Sequence, residues 1–402
     1  MWRRYGDIAF ATVFVVAISL EAIPLGFLTW TLAGGVFGRS GGARLGSILL
    51  GAVGSTAAAL LLVTTYVLAY QHLSAVHERV RTERRQAWVS RWLGVLSGSM
   101  PGPAGALDPE AVDALLALRE TLRGSESSRI AELLERHGAV RSLERSAQHG
   151  RLSARLDAIV ALSNARIPSA LLTLVNGVYD SNDLISVASA RAAARTLARV
   201  EDLFDRDRGA AALARAMESR GLPYGIVEEV VALSEEAATS LIAVLLLPDR
   251  ARVPTVRAAL DGIGRLKLLI FAEDVVPFLT HPDDEVRAAA LRAVSRLGFL
   301  PVSSHGIVIS ALADDVDFIR IHAVAAARLL PRPHALAFLS DRLGDRSWWV
   351  RRAAADALAS LGPAGLAQLG RAAREHQDRF ARDMAEQALR DQVPNLVRAV
   401  VG

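Results

Sequence analysis

The residues of this chain best equipped for chemistry sit together in Trp348-Trp349-Val350-Arg351-Arg352. Two indoles beside two guanidiniums supply apolar area, planar hydrogen-bond donors and permanent charge, which suits binding rather than bond cleavage. Trp348, Trp349 and Arg352 are therefore the candidate partner-binding residues. Packing of one Trp between structural units is the alternative. Adjacent helical residues point about 100° apart, so each Trp can take one of these roles. Groups that cleave or transfer do not occur at the required spacings. The nine histidines are scattered and cysteine is absent. No H-E-x-x-H, G-x-x-x-x-G-K-[ST] or G-x-S-x-G is found. The acid pairs Glu228-Glu229, Glu235-Glu236 and Asp314-Asp315 read as caps and solvated faces. The expectation is a non-enzymatic protein with no catalytic residue, metal or cofactor.

Arg351 belongs to a series that shows what positions it. Val286-Arg287 is followed by Ala290, Ile319-Arg320 by Ala323, and Val350-Arg351 by Ala354, with the arginines 33 and 31 residues apart. Self-similarity at a period near 30 residues marks stacked supersecondary units. Fainter copies occur at Ala154-Arg155, Ile185-Ser186, Val256-Arg257 and Ala381-Arg382, and the register blurs between Leu203 and Leu233. Each copy reads as a helix with apolar residues at i, i+4 and i+8, entered through an acidic turn such as Pro282-Asp283-Asp284, Asp314-Asp315 or Asp345-Arg346-Ser347. Those acids are expected to cap the helix starts. Leu297-Gly298 and Leu361-Gly362 are expected to end helices, with glycine in the left-handed conformation. Arg257, Arg287, Arg320, Arg351 and Arg382 recur wherever the helix recurs, so they are assigned to repeat stacking. No alternating strand pattern is seen.

The front of the chain is different. Residues 8–37 hold one charge, Glu21, and residues 45–70 hold none. Each stretch is long enough to span a bilayer, which takes about 20 apolar residues. Residues 1–73 are thus expected to form a transmembrane hairpin. Glu21 and Pro24 lie inside the first span, where the carboxyl is expected to contact the neighbouring helix. Ser47, Gly51, Ser55 and Ala59 form a small-residue stripe on the second, suited to close helix packing in lipid. Residues 74–106 follow as a basic juxtamembrane helix and a Gly/Pro/Ser linker. There Arg79, Arg81, Arg84 and Arg85 are placed against lipid headgroups, and Trp88 and Trp92 at the interface or against the first repeat. This flank carries most of the net charge of +4. It argues for a cytoplasmic solenoid by the positive-inside rule. The near-neutral remainder argues against nucleic-acid binding.

The repeated phrase resembles HEAT repeats, in the short bacterial form of proteins similar to phycobilisome lyases, over about three quarters of the chain. That resemblance implies an all-α architecture, with a HEAT-repeat α-solenoid of seven or eight helix pairs over residues 107–402 following the hairpin. The whole layout resembles bacterial membrane-anchored HEAT-repeat proteins, whose neighbouring gene is often a membrane glycosyltransferase of an exopolysaccharide pathway. The resemblance implies a scaffold or adaptor at the bacterial inner membrane, binding a protein partner that is itself an inner-membrane protein, with membrane lipids as a second partner. A bilin-lyase-like enzyme and a HEAT-like nucleic-acid binder are the alternatives.

Overall fold

The computed structural model describes residues 56, 63–68, 70–72, 80–247 and 252–401, with side chains to 391. The expected hairpin lies largely outside them, including Glu21, Pro24, Ser47, Gly51, Ser55, Ala59 and, beyond it, Arg79. Among the described residues no helix is long and apolar enough to cross a membrane, and none of them is in a strand. The chain divides into two compact units, one ending at Leu118 and one starting at Arg119.

In the first unit a helix through residues 80–96 ends at Gly98, whose φ of 78° is open to glycine. Trp92 is fully buried. Its indole N–H donates to the Ala111 carbonyl at 3.0 Å, which satisfies the one polar atom of that ring. Trp88 stacks on it with centroids 5.5 Å apart, and the Arg91 guanidinium lies over Trp88. Arg81, Arg84 and Arg85 are exposed on the same helix.

The second unit is a two-layer stack. One layer carries the repeated phrase and consists, among the described residues, of eight helices: α1 (Leu152–Ala165), α2 (Asp183–Leu197), α3 (Tyr224–Leu233), α4 (Val253–Leu266), α5 (Asp284–Leu297), α6 (Asp317–Ala327), α7 (Trp348–Ser360) and α8 (Arg379–Val401). Each packs on the next. The other layer is made of helices and turns of varied length, among them Ala139–His149, Leu203–Arg220, Arg332–Asp341 and Pro363–Glu375. Small residues set the spacing between layer neighbours. Ala288, Ala289, Ala290 and Ala293 of α5 are fully buried. A Cβ added at Gly264 of α4 would lie 3.1 Å from the Ala293 Cα, so the α4 and α5 backbones nearly touch. The blurred region holds α3, where Val227-Glu228 occupies the Val-Arg position: Val227 is fully buried, but an acid replaces the arginine.

Two local expectations need correction. Asp283 caps α5, accepting from the amides of Glu285 and Val286. Asp314 and Asp345 do not cap α6 and α7, whose N-caps are Val316 and Ser347 without a side-chain bond. Their carboxylates are taken by their own turn amides and by arginines. Gly298 is left-handed at the end of α5, whereas α7 ends on Leu361 and Gly362 serves instead as N-cap of the helix that follows.

Candidate interaction surface

The recurring arginine stands six residues after the first position of its turn, and its bonds repeat with it. Arg287 donates to the carbonyls of His281 and Pro282, Arg320 to those of Asp314 and Asp315, Arg351 to those of Asp345 and Arg346, and Arg382 to those of His376 and Gln377. One guanidinium nitrogen thus satisfies two carbonyls of the turn that enters its own helix. The rest of the fork reaches forward. Arg155 pairs with Asp180. Arg287 pairs with Asp314 at 3.3 Å, and Arg320 grips Asp345 through Nε and Nη2, both at 2.9 Å. The Arg320–Asp345 pair is 3% exposed on each side. Burial pushes the Asp345 carboxyl up, but the bonds from Arg320 and the Ser347 amide, with the Arg320 and Arg342 charges, outweigh it and hold the group below its ordinary range. Arg320 is raised in turn, chiefly by its bond to Asp345.

The forward rung changes where the turn begins with histidine. His281 and His376 stand where Asp314 and Asp345 stand in their repeats. Each spends Nδ1 on the amide two residues on, at 3.1 Å, as the aspartates spend one oxygen. A histidine has no second acceptor. The arginines one repeat earlier, Arg257 and Arg351, accordingly have buried Nε atoms without a partner. Arg257 finds Glu285 at 2.9 Å and lies over the Tyr224 ring. Among the described residues Arg351 has no carboxylate partner, and it lies under the Phe380 ring at 5.5 Å.

Trp348 and Trp349 open α7 and meet edge to face, 4.8 Å between centroids. They are 45% and 65% exposed, so neither is absorbed into the core. Phe380, 31 residues after Trp349 and at the same place in α8, is 63% exposed. Arg352 turns away from this edge, bonding Asp356 at 3.1 Å and Asp391 at 3.0 Å, and so ties α7 to α8.

A second polar group lies deeper and was not singled out in the sequence. Asp261 occupies the slot that holds Leu291, Val324 and Ala355 in later repeats, and its side chain is 3% exposed. It accepts from Arg292 Nε and Nη2, Arg296 Nη1 and the Tyr224 hydroxyl, at 2.8–3.1 Å. These residues and His322, whose Nε2 is 3.4 Å from Arg292, run across α3 to α6. Burial raises the Asp261 carboxyl, yet Arg292, Tyr224 and Arg296 bring it below its usual range. Burial and the Arg292 charge press His322 down to about 4, and burial with the Asp261 charge pushes Tyr224 up to about 12. The cluster is a register pin across four repeats, its acceptor saturated by its own neighbours. An acid in an otherwise aliphatic slot is the signal that would have found it. Among the described residues no group of His, Cys, Asp and Glu could hold a metal ion.

No curated protein matches the chain. Among solved structures it is similar to an engineered protein, at 15% identity and TM-score 0.31 over 76% of this chain and 98% of that one. It is also similar to a Kap121p mutant, at 13% and 0.43 over 72% of this chain and 37% of that one, so it spans little more than a third of Kap121p. Human deoxyhypusine hydroxylase in complex with glycerol matches at 16% and 0.26, over 66% and 98%. The family model for HEAT repeats matches residues 306–390, which run from the helix before α6 into α8, and this part of the chain is a HEAT-repeat domain.

Proposed function

We propose that this chain is a non-enzymatic scaffold whose HEAT-repeat helices hold a protein partner. The observation that carries the reading is the exposed Trp348-Trp349 pair on a frame of buried ion pairs. Large aromatic side chains kept in solvent on a rigid support are what a partner's pockets recognise. HEAT-repeat solenoids in general bind proteins along their surfaces. The buried Asp261 cluster is saturated by its own neighbours, which fits packing between repeats rather than chemistry.

The apolar stretches 8–37 and 45–70 and the arginines that follow them support an anchor in a bacterial inner membrane with the solenoid on the cytoplasmic side, Arg81, Arg84 and Arg85 meeting lipid headgroups. The partner is then another inner-membrane protein, a membrane glycosyltransferase of an exopolysaccharide pathway being the specific candidate. Purification from native membranes in mild detergent, followed by mass spectrometry, tests the reading. A stoichiometric membrane protein is the expected result. A preparation that repeatedly returns the chain alone would overturn it.

A further inference from the structure

The ladder itself shows which chemical group fills an arginine fork in this fold. Arg155, Arg287 and Arg320 each hold an aspartate supplied by the next turn, and Arg257 holds Glu285 instead. Of the ladder arginines followed by a further ladder helix in the described residues, Arg351 alone lacks a carboxylate. His376 takes the aspartate's place, and its one acceptor nitrogen is committed to the Asp378 amide. Arg351 Nη1 is used on Asp345 and Arg346, while Nε has no partner. This incomplete rung lies in the repeat that carries the exposed aromatics: Trp348 and Trp349 precede Arg351 in the first turn of α7, and Phe380 covers its guanidinium.

We propose that Arg351, Trp348, Trp349 and Phe380 form a docking site for an acidic side chain flanked by apolar residues on a protein partner. This deepens the scaffold reading and rests on it. The partner's carboxylate pairs with Nη2 of Arg351, the nitrogen through which Arg287 and Arg320 reach their aspartates, while His376 keeps its place. The Phe380 ring lies against the Arg351 guanidinium, 5.5 Å from Cζ to the ring centroid. It is 63% exposed at the start of α8. The flanking apolar residues cover the two indoles. Charge selects the acid, since a guanidinium gains a charge-assisted hydrogen bond from a carboxylate that an amide cannot match. The aromatics supply the apolar contact area.

The test uses the full-length protein and fluorescent hexapeptides bearing one central Asp flanked by Leu, Phe or Trp, with the same set carrying Asn. Anisotropy is expected to show binding by members of the Asp set and affinity at least about tenfold lower for their Asn counterparts. His376→Asp should fill the fork from within and lower the affinity by a similar factor, with the thermal midpoint kept or raised as proof of folding. Trp348→Ala with Trp349→Ala should also weaken binding. Equal binding of Asp and Asn peptides, no binding by any member of either set, or unchanged binding by a folded His376→Asp protein would each overturn the proposal. The membrane co-purification separates this from the wider reading. A partner retained by wild type and by His376→Asp alike sinks the docking site and leaves the scaffold standing, whereas a wild-type preparation without a partner sinks the scaffold.

Discussion

Replacing Arg320 by Met tests whether the arginine ladder holds the repeats together. The substitution keeps a long apolar stem and deletes the guanidinium. It removes two 2.9 Å bonds to Asp345 and the bonds of 2.8 and 3.0 Å to the Asp314 and Asp315 carbonyls. Asp345 is then left as a buried carboxylate whose remaining partners are the Ser347 amide and Arg342 at 3.7 Å. Breaking a buried pair from one side costs about 3–5 kcal/mol. Arg342 screens part of the orphaned charge, so a loss of about 3 kcal/mol, the low end of that range, is expected. Arg320→Met with Asp345→Leu removes both charges and should recover much of the loss, because the desolvation penalty goes with them. Urea unfolding of the full-length protein measures the change, and hydrogen exchange at the amides of residues 345–347 localises it. The pH dependence has a fixed sign. The Asp345 carboxyl is held below its ordinary 3.8 when folded. The pair's contribution is therefore full above that pH and lost as pH falls through the folded value. The gap between wild type and Arg320→Met should close in acid. A single substitution costing under about 1 kcal/mol, or a double variant as unstable as the single, would refute the reasoning.

Three further outcomes are expected. Asp261→Asn should destabilise by about 3 kcal/mol or more, since Arg292 and Arg296 lose their shared counter-charge; denaturant unfolding with an unchanged slope checks it. Gly177→Ala places a Cβ 2.3 Å from Ser189 Oγ and 2.9 Å from its Cβ, so the helix Leu171–Val178 must move off α2 at a cost of about 1–3 kcal/mol, read as a lower thermal midpoint. His322, ordinarily near 6.5, is pressed to about 4 by burial and Arg292. The unfolded chain takes up that proton first, so stability should fall as pH drops from about 6.5 towards 4, and His322→Asn should flatten this limb of a melting-temperature profile.

The stacked-helix architecture was readable because the same physical demand recurs. A buried aliphatic residue, an arginine beside it and a small residue one turn on must reappear wherever two such helices stack. The register was lost at α3, where Glu228 replaces the arginine and the preceding helix Leu203–Arg220 runs to 18 residues. The caps were misread at Asp314 and Asp345 because local sequence shows an acid before a helix but not the arginine that arrives from the repeat before. Asp261 escaped notice for a related reason. An aspartate inside a helix looks solvated until three partners from flanking helices are seen around it. The Trp pair was legible as a chemical feature, and its exposure was not. Only the fold shows that neither indole is drawn into the core.

The histidine at position 376 also bears on how the stack comes apart. Unfolding of a repeat array spreads through nearest-neighbour couplings, as in a one-dimensional chain of spins. Clasps such as Arg287–Asp314 and Arg320–Asp345 bind each repeat's opening to that of its neighbour. Between Arg351 and His376 no such clasp is found among the described residues, where Arg352–Asp391 links α7 to α8 at the surface. The repeat containing α8 is therefore expected to exchange its amides more readily than the clasped repeats before it.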